Sequence, residues 1–156
     1  MKKNVFMIML ILVLSFQLNA KKITNKVLVH PTAQNLAKDE IAILGVSKDV
    51  TLIEIDKSKF KANGDRVYIA PGKHTFQVKK PLSVVHDGEL SRELEAGKYY
   101  VLDSRTKLVG IDYYITSYKI YEVSEEDFEN YDRKVLKRLT QDEDESQTSG
   151  TGVIFY

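Results

Sequence analysis

The stretch His74-Thr75-Phe76-Gln77-Val78-Lys79 sends Phe76 and Val78 to one side and Thr75, Gln77 and Lys79 to the other. Period two with one polar face belongs to an antiparallel sheet that is wet on one side. It is one run in a series. Between about Lys26 and Tyr121, short β-branched and aromatic runs alternate with turn residues. The expected strands are Lys26–Val29, Ile41–Val46, Thr51–Ile55, Arg66–Ala70, His74–Lys79, Leu82–His86, Glu89–Leu94, Tyr99–Asp103 and Tyr113–Tyr121. Asn63-Gly64-Asp65 and Asp87-Gly88 read as hairpin turns, because Gly takes the positive φ that such turns need. Pro71-Gly72 reads as a type II turn and Glu95-Ala96-Gly97-Lys98 closes another. Strands at this spacing argue for a mainly β fold, an antiparallel β-sandwich or an open barrel.

One C-terminal α-helix is expected at about residues 125–139. Ser124 is its N-cap, Glu125, Glu126 and Asp127 load the first turn, and Lys134, Lys137 and Arg138 load the last, as the helix dipole favours. Phe128, Tyr131, Val135 and Leu139 form one apolar stripe for docking on the sheet. Residues 141–156 read as a flexible acidic tail with an apolar end, Gly152-Val153-Ile154-Phe155-Tyr156, that folds back as an edge strand or docks on a partner, the first being the expected one. The Ala33–Glu40 stretch reads as a short helical turn or a loop.

Upstream of the strands the chain begins Met1-Lys2-Lys3-Asn4 and continues into an unbroken apolar run from Val5 to Leu14, ten residues long. A signal-peptide core is about 7–15 residues, whereas a membrane-spanning helix needs about 20. Residues 1–20 therefore read as a Sec-type signal peptide cut near Ala20, and the mature chain as periplasmic or secreted, with no membrane span. A lipoprotein would carry cysteine after the small residue, where Lys21 stands. The mature chain, residues 21–156, then consists of a single domain over 21–140 followed by the tail. It has 21 basic and 22 acidic residues, a net charge of −1, which gives no global pull towards nucleic acid.

The chain has no cysteine, which excludes disulfides, thiolate zinc sites and Cys nucleophiles. Its three histidines, His30, His74 and His86, fall 44 and 12 residues apart on different expected strands, so no metal site is expected and each is read as structural or surface. His74 shares the parity of Phe76 and Val78 and is placed on the inner face. Neither a Gly-x-Ser-x-Gly elbow nor His-Glu-x-x-His nor a phosphate loop is present. Asp142–Glu145 lacks the alternating ligands of a calcium loop. No catalytic residue, cofactor or metal is assigned. The surface feature that invites a ligand is tyrosine: Tyr99, Tyr100, Tyr113, Tyr114, Tyr118 and Tyr121 gather in the last two strands. Of these, Tyr100, Tyr114 and Tyr118 are the candidate ligand or partner surface, because rings bring apolar area with a hydroxyl handle.

The runs Val50-Thr51-Leu52-Ile53-Glu54-Ile55-Asp56, Val67 to Val78 and Leu94-Glu95-Ala96-Gly97-Lys98-Tyr99-Tyr100-Val101-Leu102 form a pattern. A strand ends in Ile-Asp, a Pro-Gly-x-His strand follows, then an Ala-Gly-Lys-x-Tyr strand. Over roughly residues 41–103 this resembles PEGA-type domains and the transthyretin-like modules of small exported bacterial proteins. The chain departs from them at Asp56-Lys57, where glycine is usual after the acid, and in having no Gly-x-Thr-Pro segment before Val67. The resemblance implies a β-sandwich in an envelope setting and brings no catalytic residues with it.

The function expected from these readings is an exported, non-catalytic binding or structural module of the bacterial cell envelope, with an envelope protein or a glycan as partner. Two rivals stand beside it. A carbohydrate-binding sandwich requires a coplanar row of exposed tyrosines, and a hydrolase requires His or carboxylate groups converging in a pocket.

Overall fold

The computed structural model describes residues 22–81, 87–109 and 113–146. Nine strands are described: β1 Val27–Val29, β2 Ala42–Val46, β3 Thr51–Ile55, β4 Ser58–Ala62, β5 Arg66–Ile69, β6 Gly72–Lys79, β7 Asp87–Leu94, β8 Tyr99–Val109 and β9 Tyr113–Val123. They form two sheets, β1-β5-β2-β8-β9 and β4-β3-β6-β7, packed face to face as an open sandwich. Most neighbours run antiparallel, but β1 lies parallel to β5 and β2 parallel to β8.

Alternation builds the core as the sequence requires, except in β3, where a register shift between Leu52 and Glu54 turns Ile55 inward as well. Ala42, Leu44 and Val46 of β2, Val67 and Ile69 of β5, and Tyr100 and Leu102 of β8 face Leu52 and Ile55 of β3, Phe76 and Val78 of β6, and Leu94 of β7. All are buried.

Several connections differ from expectation. Asn63-Gly64-Asp65, Pro71-Gly72 and Glu95–Lys98 each carry the chain from one sheet to the other and join no hairpin neighbours. Gly64 and Gly97 (φ 72° each) and Gly72 (φ 125°) still supply the positive φ that a sharp change of direction needs. Asp87-Gly88 is not a turn: both residues lie in β7, opposite Lys79 and Val78. Its glycine serves close approach, since a Cβ at Gly88 would sit 2.7 Å from the Tyr118 ring of the facing sheet. The strand expected at Leu82–His86, with His86, lies outside the described residues, as do the export signal over 1–20 and the end of the tail from 147.

The outer face of the five-stranded sheet carries a second apolar layer. The helix α1, Glu125–Glu129, lies over this face, capped by the Ser124 hydroxyl, which accepts from the Asp127 N–H. Its Phe128 and the N-terminal Ile23 cover Gly45 of β2. Arg66 fastens both covers. Its guanidinium donates to Glu129 through two bonds of 2.6 and 2.8 Å, to Thr24 O and to Asn25 Oδ1, and stacks 5.2 Å over the Phe128 ring. Arg66→Ala should cost about 2 kcal/mol of stability, and Arg66→Lys should recover less than half of it, because an ammonium lacks the planar fork. Urea unfolding of both variants measures this.

Lys22 sits in the same layer. Its side chain is 10% exposed and pairs with Asp103, 3.0 Å away and fully buried, and with Asp49 at 2.8 Å. The expected single helix is two. The chain leaves α1 at Asn130, and Asp132 starts α2, Arg133–Ser146, by accepting from the Lys134 and Val135 N–H groups. The helix α2 runs through Gln141–Ser146, where the sequence suggested the start of a tail. Glu is a good helix former, and charge by itself does not end a helix.

Candidate functional site

Two places in the sandwich gather polar or exposed groups beyond what packing needs. The first surrounds His74. The β3–β4 hairpin turns through Asp56 and Lys57, both at positive φ (51° and 64°), the signature of a type I′ turn made without glycine. Asp tolerates this backbone because its carboxylate finds local partners. Here the Asp56 Oδ1 accepts from the Thr75 N–H (2.9 Å) and Oδ2 lies 2.6 Å from the His74 Nδ1. On its other side the His74 Nε2 lies 2.8 Å from the Ala70 carbonyl. Both His74 ring nitrogens therefore lie within hydrogen-bond distance of an oxygen acceptor.

His30 belongs to the same cluster. The Thr32 hydroxyl lies 2.9 Å from the His30 Nδ1 and accepts from the Ala70 N–H, so Thr32 and Ala70 link the two imidazoles. The His30 ring also meets Phe60 edge-on at 5.2 Å. The sequence separation of 44 residues hid this proximity. The parallel pairing of β1 with β5 carries His30 towards Tyr68 and Ala70, and β6 returns His74 to the same end. His74 occupies the inner face, as its parity required, at 6% exposure.

The electrostatics follow from this geometry. Partial burial pushes the Asp56 carboxyl up, but the Thr75 N–H and the His74 ring together hold it below the usual carboxylate range. Burial lowers His30 below the ordinary imidazole value and the His74 charge lowers it further, with Asp56 opposing. Arg92, exposed, stands opposite His74 in the β6–β7 register.

A group with a depressed folded-state value binds its proton more readily when unfolded, so stability falls as pH drops through the gap. Thermal unfolding should therefore move to lower temperature in two stages. The first begins as pH falls below 6.5 and comes from His30; the second begins below 3.8 and comes from Asp56. His30→Gln should remove the first stage and leave the second, which melting curves across pH will read directly.

The cluster ties the β3–β4 turn, through Asp56, to His74 of β6 and to the Ala70 carbonyl. Among the described residues no group of three or more His, Asp or Glu side chains is arranged to hold a metal.

The second place is the β8–β9 hairpin. Both strands run eleven residues, and every rung from Tyr99↔Val123 to Val109↔Tyr113 is paired. The neighbouring β2 pairs with β8 only as far as Leu102. The Ser104 hydroxyl donates to Asp49 O, and the Tyr118 ring rests on Gly88 of β7. Beyond Ser104 and Tyr118 the hairpin continues as a two-stranded ribbon, Arg105–Val109 with Tyr113–Ser117, about 15 Å long at the usual strand rise. Sequence alternation ended β8 at Asp103, because Ser104-Arg105-Thr106-Lys107 has no apolar face. A ribbon outside the core needs none.

The candidate tyrosines divide between these regions. Tyr100 is 1% exposed, its ring in the core and its hydroxyl accepting from the Glu95 N–H, so it presents nothing to a ligand. Tyr118 is half-buried against the core. Tyr114 is 70% exposed and sits at the ribbon end, where Leu108 (51%) and Ile115 (42%) are exposed with it. Tyr121 is buried, and the half-buried Tyr99 donates to Glu125, a bond that pushes its hydroxyl up to about 12. The three tyrosines therefore do not form one surface. Leu108 and Ile115 escaped the sequence reading because single apolar residues in a polar strand look like ordinary pattern noise. Comparison with known protein families, curated proteins and solved structures gave no match.

Proposed function

We propose that this chain is an exported, non-catalytic binding module of the bacterial cell envelope that engages its partner through the β8–β9 ribbon. One observation carries the reading: Leu108, Tyr114 and Ile115 stand exposed together on the last described rungs of an arm that extends past the sheet beside it. A two-stranded hairpin is marginal by itself in water, and exposed apolar side chains on one are a cost that contact with a partner removes. The apolar run over residues 5–14 supports export, and the PEGA-like pattern over residues 41–103 supports an envelope setting.

A photo-crosslinking residue at position 114, introduced in producing cells, tests this. Adducts should form at position 114, and not at the exposed Glu93 on β7, and Leu108→Ser with Ile115→Ser should abolish them. Equal crosslinking from both positions, or none from 114, rejects the ribbon as the binding element.

A further inference from the structure

We infer that Asn63-Gly64 is a modification site, a spontaneous deamidation site that the fold holds closed and whose reaction unties the β4–β5 crossing from the β2–β3 loop. It stands independently of what the ribbon binds.

Each residue of the pair is demanded by a different part of the fold. Gly64 has φ 72°, where side chains are strained, and a Cβ there would lie 2.9 Å from the Lys48 Cγ. Its carbonyl accepts from the Thr24 N–H at 2.7 Å. Asn63 supplies donors. Its side-chain amide lies 2.6 Å from the Val50 carbonyl and 3.0 Å from the Lys48 carbonyl, and because both are acceptors it is Nδ2 that faces them. The two needs meet in Asn-Gly, where the nitrogen that follows the amide is shielded by no side chain of its own. Asparagine is a heat-labile residue for this reason.

The reaction needs only water. The Gly64 nitrogen gives its proton to solvent and bonds to the Asn63 Cγ. The Cγ–Nδ2 bond breaks, and Nδ2 leaves as ammonia with a proton taken back from solvent. Water then opens the cyclic imide to aspartate, or to isoaspartate with the main chain routed through Cγ. No electron is gained or lost. Asn63 is exposed, so water reaches it. What restrains the step is that the leaving nitrogen is the atom making both bonds, so expelling it must break both. The Asn63 N–H, which donates to the Asp65 Oδ2 at 3.2 Å, pins the main chain as well.

The product inverts the local chemistry. A carboxylate oxygen is an acceptor, and it stands against two carbonyl oxygens that have lost their donor. Those carbonyls belong to the loop that seats Lys22. The Lys48 N–H donates to the Lys22 carbonyl at 3.0 Å, and Asp49 pairs with the Lys22 Nζ at 2.8 Å. Deamidation therefore loosens the partners of Lys22.

Trypsin cuts after Lys61 and after Arg66, so the peptide Ala62–Arg66 isolates the site. The exported, processed protein is aged in mildly alkaline buffer, folded and in guanidinium chloride, and that peptide is then measured by mass spectrometry. Deamidated peptide should build up about tenfold or more slower in the folded protein, because reaction waits for local opening. Asn63→Asp, the product made directly, should raise the unfolded fraction about tenfold at neutral pH. Asn63→Ala should raise it less, since alanine removes the donors and adds no acceptor. Lowering the pH until the new carboxyl is protonated should narrow that gap, and hydrogen exchange at the Lys48 and Val50 amides should quicken in Asn63→Asp. Equal deamidation rates in folded and unfolded protein overturn the inference. So does a peptide that stays unmodified even when unfolded, and so does an Asn63→Asp variant as stable as the wild type.

Discussion

Lys22→Ala should lower the unfolding free energy by about 3–5 kcal/mol, the largest loss expected from any single charged residue described here. The Asp103 carboxylate is fully buried on β8, and Lys22, 81 residues away in sequence, brings the cation that meets it. Removing that cation leaves the buried carboxylate with its desolvation and with only its other partners, the Ser104 N–H among them. Lys22→Met separates charge from packing: it keeps most of the stem and should cost nearly as much as alanine. Combining Lys22→Met with Asp103→Leu should recover most of the loss, because an apolar pair of similar volume carries no desolvation penalty. Urea titrations of the three variants decide this. A Lys22→Ala loss below about 1 kcal/mol would show that the pair behaves like an exposed one.

Gly45→Val should cost about 3 kcal/mol through overpacking, with Gly45→Ala costing less in the same direction. Strand propensity points the other way, since glycine is a poor strand residue and valine a favoured one. The deciding fact is what lies above Gly45. An added Cβ meets the end of the Ile23 side chain and, at 2.8 Å, the Phe128 ring. Ile23 can rotate aside, but Phe128 is wedged between the Tyr99 ring and the Arg66 guanidinium, each 5.2 Å from its centre. Thermal melts of the two variants measure the effect, and a stabilised Gly45→Ala would mean that the outer layer is loose.

The sandwich was legible where its inward residues alternate, as Phe76 and Val78 do; Leu52 and Ile55, three residues apart, both reach the core because β3 shifts register between Leu52 and Glu54. What the alternation could not show lies where packing does not dictate sequence. The edge strand β4, Ser58-Lys59-Phe60-Lys61-Ala62, was missed because lysines on its outer side mask a short pattern, and its turn was missed because Asp56-Lys57 has no glycine. Lysine on an edge strand is how sheets discourage pairing with other chains, so the masking is itself physical. The turns at Asn63–Asp65 and Pro71-Gly72 were correctly placed as changes of direction, but a turn dipeptide does not say which sheet the next strand joins. Tyr114 was legible as a candidate. Tyr100 was not separable from it, because two adjacent tyrosines on one strand face opposite ways and the sequence does not say which of them faces the core.

The covers of the five-stranded sheet have a kinetic consequence. Its outer layer joins the first described residues to the last part of the sandwich: Lys22 to Asp103, and Arg66 to Glu129 across 63 residues. Contacts this distant along the chain must await loop closure, so they form late and slow the approach to the native state. Until Asp103 and Phe128 have been made, Lys22 lacks its buried carboxylate and Ile23 lacks the ring beside it, so the outer layer cannot close. The outer layer of the sandwich therefore closes last, and once closed it holds residues far apart along the chain together.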